Sequence, residues 1–168
     1  MATFPRLMVL MGVAGCGKSS VGVALAPVID AIYTDGDDLH PQTSIDKMSA
    51  GHPLTDEDRW PWLRTVGQTL GGAKGRAIIG CSALKRVYRD TITEAAGEPV
   101  TFIHLSGSRV VIEDRMGARQ GHFMPTALLD SQFATLEPPS SDENAIAVDI
   151  DQPIEGIVSD IHKRLAEI

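Results

Sequence analysis

The stretch Gly12-Val13-Ala14-Gly15-Cys16-Gly17-Lys18-Ser19 constrains the fold more than any other part of the chain. It matches G-x-x-x-x-G-K-[ST], a loop that joins a strand to a helix and wraps a phosphate. Its glycines permit backbone angles closed to other residues, so successive N–H groups can turn inward around an anion. Lys18 adds a cation that can reach the β- and γ-phosphates, and the Ser19 hydroxyl is placed to ligate Mg²⁺. The flanks agree. Residues 7–11 are an unbroken apolar run, as expected of a strand covered on both faces. Residues 20–26 read as a helix whose positive end faces the same anion. A dinucleotide-binding loop would need G-x-G-x-x-G, and these glycines fall in a different order. The loop, with Ser20 following it, is the candidate nucleotide-binding set.

Four further apolar runs follow, at residues 31–34, 76–81, 100–105 and 145–150, and helical stretches separate them. Strands alternating with helices predict an α/β domain of three layers around a mostly parallel five-stranded sheet. The chain's 168 residues suit one such domain. Ligands in these sheets gather beyond the carboxyl ends of the strands.

Beyond the second run stands Asp35-Gly36-Asp37-Asp38-Leu39-His40-Pro41. Two acids two apart point differently: one can face a metal and the other a substrate hydroxyl. Asp35 is assigned to Mg²⁺ through water, and Asp37 to orienting the attacking hydroxyl and taking its proton. The spacing by itself does not say which carboxylate takes which part. Residues 38–72 are too long for a plain crossover and predict a helical substrate-binding insert, with Lys47 and Arg59 as candidate cations. Within it Thr55 is a candidate N-cap, Pro61 is placed near a first helical turn, and Trp60 and Trp62 read as packing residues.

The third run ends in Cys81-Ser82, where many P-loop ATPases carry a metal-binding Asp, so the metal's carboxylate must come from elsewhere. Lys85 and Arg86 then open a helix, an unfavourable place for cations unless an anion is bound nearby. After the fourth run, Arg115 and Arg119 share a helix face, with Gly117 and Gly121 flanking the second. Residues 115–126 are predicted to be a lid that delivers arginines to the transferring phosphate and excludes water. Gln152 and Pro153, after the fifth run, are placed near the nucleotide base.

A net charge of −7 and a pI of about 5.1 argue against a nucleic-acid partner. No apolar run is long enough for a membrane span. No leader precedes the first strand, and Cys16 and Cys81 are read as small buried residues, so a reducing cytoplasm is expected.

The segments at Gly12–Ser19, 35–41, Lys47-Met48, Pro53-Leu54, Asp58-Arg59, Pro61-Trp62-Leu63, 81–86, Tyr88-Arg89-Asp90, Gly121-His122-Phe123 and Ser131-Gln132-Phe133 together resemble the bacterial-type gluconokinases. These are P-loop kinases related to shikimate and nucleoside monophosphate kinases. The resemblance implies the P-loop kinase fold, phosphorylation of D-gluconate at its 6-hydroxyl by ATP with Mg²⁺, and a homodimer. Lys18, Asp37 and Arg119 are the candidate catalytic residues. The candidate acceptor contacts are Asp37, His40, Lys47, Arg59, Ser82, Lys85, Arg86, His122 and Gln132, and the candidate ATP contacts beyond the loop are Arg115, Arg119, Gln152 and Pro153. A shikimate kinase would be expected to carry a triple glycine after the third strand, and a GTPase-like switch Asn-Lys-x-Asp; neither is found.

Overall fold

The computed structural model describes residues 4–52, 54–117 and 126–168. Its five strands are β1 (Leu7–Met11), β2 (Ala31–Asp35), β3 (Arg76–Gly80), β4 (Thr101–Ser106) and β5 (Ala145–Asp149). They lie in the order β2-β3-β1-β4-β5, and every neighbouring pair is parallel. β1 is central, which explains its unbroken apolar sequence: all five residues are fully buried. The edge strands differ. β5 alternates, burying Ile146 and Val148, while Ile32 of β2 is exposed.

The pleat divides the core in two. Met8 and Leu10 face α1 (Lys18–Leu25) and α7 (Ile154–Ala166), joined by Ile78, Ile103 and Leu105. Leu7, Val9 and Met11 face the other way, onto Trp62, Leu63, Val66 and Leu70 of α3 (Asp56–Gly71) and Tyr88 and Ile92 of α4 (Arg86–Ala96). This is the three-layer arrangement expected, with the sheet wholly parallel.

The insert holds α2 (Gln42–Ser49) and α3. Thr55 does cap α3, in a capping box: its side chain accepts from the Asp58 amide while Asp58 accepts from the Thr55 amide. Pro61 lies in the second turn rather than the first. It leaves the Glu57 carbonyl without its helical partner, at a place where both residues are exposed to water. α3 approaches α4 closely through Gly67 and Gly71, whose Cα atoms face the Ile92 and Ala96 carbonyls. The chain continues with α5 (Arg109–Gly117) and α6 (Thr126–Thr135). Among the described residues no helix is long and apolar enough to cross a membrane.

Candidate active site

The glycine loop leaves the end of β1 at the middle of the sheet, where the strand order reverses on either side. Gly15 and Gly17 have φ of 83° and 97°, the left-handed region that lets the loop amides converge. Lys18 Nζ donates to the Gly12 and Val13 carbonyls at 3.1 and 3.3 Å, which folds the ammonium back over the loop. The Gly12 amide donates to the Ser82 carbonyl at 3.2 Å, tying the β3–α4 loop to the phosphate loop. Gln132 of α6 comes from across the cleft, and its Oε1 accepts from the Ala14 amide at 2.6 Å.

The Asp35-Gly36-Asp37 segment is held from three sides. Asp35 accepts from the Asp37 amide at 3.0 Å and starts a 3₁₀ turn over Gly36–Leu39. Ser19 Oγ donates to its other oxygen at 3.2 Å. Gly36 packs so closely that an added Cβ would lie 2.3 Å from the Gly80 carbonyl, while Trp62 Nε1 donates to the Gly36 carbonyl at 2.8 Å. Ser19 and Asp35 thus stand together, an all-oxygen donor pair of the kind a hard divalent cation takes. Among the described residues there is no cluster of three metal-binding side chains. A magnesium ion held by one or two protein groups plus phosphates needs none.

Asp37 opens into the same cleft of about 380 Å³, lined also by Lys18, Ser19, Asp35, Ser82 and Gln132. Its side chain is 84% exposed, yet the crowding of the cleft walls, and then Asp35, raise its pKa above the usual carboxylate range. His40 lies 3.9 Å from Asp37 and stacks on Trp62, with ring centroids 4.1 Å apart. Burial, opposed by Asp37 and reinforced by Arg59, lowers the His40 pKa and keeps the ring neutral. Its Nδ1 is buried without a partner.

Beyond His40 the cations gather. Arg59 donates to the Tyr88 hydroxyl at 3.2 Å, and that hydroxyl donates to Asp56 at 2.5 Å. Lys85, the residue capping α4, lies 3.5 Å from the same carboxylate. Lys47 pairs with Asp58 at 2.5 Å, which, with the Thr55 amide, holds the Asp58 pKa down at about 2.

Not every expected residue reaches this cleft. Arg86 turns away and is held bidentately by Asp142 at 2.9 and 3.1 Å, on the rim of a separate hollow of about 640 Å³. Arg115 donates to the Ile150 carbonyl and, at 2.7 Å, to the Gln152 carbonyl, so it braces the loop after β5 instead of pointing at phosphate. Pro153 caps α7 directly after that loop. Arg119, His122 and most of the expected lid lie outside the described residues. Cys16 and Cys81 are buried and form no disulfide, and burial pushes the Cys81 thiol up to about 12, away from a reactive thiolate.

Sequence reasoning missed two contributors. Asp56 stands in the acidic first turn of α3, and only the fold shows it gathering Lys85, Arg59 and Tyr88. Arg89 is 2% exposed and is held by Glu143 at 2.7 Å, while donating to the Ala83 and Leu84 carbonyls. That clamps the loop carrying Ser82 and Lys85, where Ala83 takes a φ of 45°. A partner 54 residues away leaves no local signal.

The parallel sheet, the phosphate loop at its centre and the carboxylates beside it define a P-loop kinase. Its fold recurs in the APS kinase of Mycobacterium tuberculosis, at a TM-score of 0.65 with 18% identity. No family model matches the chain. The thermoresistant gluconokinase of Escherichia coli is 46% identical over 159 residues, spanning 92% of this chain and 90% of that one. The gluconokinase of Gluconobacter oxydans is 45% identical over 147 residues, spanning 86% and 82%. A gluconokinase structure from Sinorhizobium meliloti superimposes with a TM-score of 0.90 at 47% identity, over 98% of this chain and 93% of that one. The chain belongs to the gluconokinase family.

Proposed function

We propose that the protein transfers the γ-phosphoryl group of ATP to the 6-hydroxyl of D-gluconate, giving 6-phosphogluconate and ADP. The observation that carries this reading is the line of groups from the phosphate loop through Asp37 and His40 to the Arg59–Lys85 cluster. One end suits a triphosphate and the other an acid. The loop amides and Lys18 hold the β- and γ-phosphates. Asp37, ionised, accepts a hydrogen bond from the 6-hydroxyl and takes its proton as the oxygen attacks phosphorus. His40 and Ser82 flank the acceptor chain, and Lys47, Arg59 and Lys85 set the field for its carboxylate. Gln132 exchanges its bond to Ala14 for acceptor or phosphate contacts when both substrates enter. Ser19 and Asp35 would hold Mg²⁺, which when bound supplies charge neutralisation on the phosphates. Arg115 with Gln152 and Pro153 borders the base, and the sequence assigns Arg119 to the phosphate and His122 to the acceptor. We propose a cytosolic homodimer, on the strength of the family resemblance.

The test is ADP release from ATP and Mg²⁺ with candidate acceptors. Gluconate should be required and glucose poor, because a pocket of cations loses its counter-ion with a neutral sugar. Hydrolysis indifferent to acceptor, or glucose turnover comparable with gluconate, would overturn the reading.

A further inference from the structure

The cluster beyond His40 has the form of a carboxylate-binding site already supplied with a carboxylate. Three donors from α3, α4 and the loop before α4 converge on Asp56: the Tyr88 hydroxyl at 2.5 Å, Lys85 at 3.5 Å and Arg59 at 3.6 Å. Lys85 and Arg59 also flank the Tyr88 ring, each about 5.5 Å from its centroid. Two cations this close would repel each other without a shared anion. Nearby, Lys47 is paired with Asp58 and His40 is held neutral, while Asp37, 3.9 Å from His40, lines the phosphate cleft. Asp56 is 39% exposed, so it stands open to solvent and is not sealed into the core.

We propose that Asp56 sets the charge selectivity of the acceptor pocket. It cancels one of two cations and leaves a single net positive charge, so the pocket matches a singly charged acid. A neutral polyol leaves that charge unbalanced, and a doubly charged ester overshoots it. The inference rests on the gluconate reading and goes beyond it by assigning the discrimination to a residue of the same sign as the substrate.

Three acceptors of one carbon skeleton test this at pH 8: D-glucitol, D-gluconate, and glucitol bearing a phosphate at C1, which is largely dianionic there. The wild type should favour gluconate. In Asp56→Asn the pocket gains a charge, and the ratio of kcat/KM for the phosphate ester to that for gluconate should rise roughly tenfold. In Lys85→Met it loses one, and the preference for gluconate over glucitol should fall roughly tenfold. Glu57→Gln removes the same charge from the same helical turn without touching the cluster, and should leave both ratios in place. Ratios within about twofold of wild type in Asp56→Asn and Lys85→Met, or an equal shift in Glu57→Gln, would overturn the proposal. If Asp56→Asn does not fold, Lys85→Met decides. A wild-type enzyme that ignores gluconate would instead overturn the functional reading beneath it.

Discussion

At the residue scale the decisive group is Asp37. Its pKa is raised, so ionising this carboxylate costs more in the folded chain than in the unfolded one, through the crowding of the cleft and then Asp35. Such a group contributes stability below its unfolded pKa and loses it as pH rises through the folded value. Asp37→Asn should therefore be no less stable than wild type at pH 7, and the difference should vanish in acid. Turnover should fall at least about a hundredfold, with ATP binding unchanged, since the loop holds the nucleotide. Thermal unfolding across pH, single-turnover assays and ATP titration check the three parts. Near-normal turnover would remove Asp37 from the chemistry.

At the element scale, the Asp56 cluster depends on how α3 meets α4, because Asp56 and Arg59 ride on one and Tyr88 on the other. Gly67 makes that approach possible: a Cβ there would lie 2.3 Å from the Ile92 carbonyl and 2.7 Å from the Ala95 methyl. Gly67→Ala should destabilise by roughly 1–3 kcal/mol and raise the KM for gluconate more than that for ATP. Gly75→Ala, where an added Cβ meets nothing within 4 Å, should leave both intact. Denaturant melts and paired KM measurements separate the two. The β3–α4 loop makes a second case. Arg89→Met would strand the buried Glu143 carboxylate and free the Ala83 and Leu84 carbonyls, costing about 3 kcal/mol or more. Arg86→Met, at an exposed pair, should cost less than about 1 kcal/mol. Equal losses in equilibrium unfolding would contradict the difference in burial.

For the whole molecule, the phosphate loop after β1, the loop after β3 and α6 meet at one cleft. ATP with Mg²⁺ should therefore raise Tm by mass action, by about 2.7 kcal/mol of stability at a hundred times Kd. Ser19→Ala should lose the Mg²⁺-dependent part and keep the rest. A Tm shift in that variant equal to wild type, with and without the metal, would remove Ser19 from the ion's shell.

How much of this was legible in the chain follows from the range of each interaction. Contiguous residues determined the phosphate loop, the buried central strand, the Thr55 cap and the Asp-Gly-Asp turn, because local backbone geometry and hydrophobic period are written within a few positions. With no acid after β3, the sequence turns to Asp35 for the metal's carboxylate, and the fold sets that residue against Ser19. Tertiary structure alone decided which carboxylate each cation pairs with. Lys85 and Arg86 are adjacent, yet one finds Asp56 and the other Asp142, on opposite sides of α4's first turn. Arg115 and Asp56 likewise took roles set by partners tens of residues away. A charged side chain carries no record of its partner in its own sequence position; its pairing is fixed only when the sheet brings distant loops to the same end of the strands.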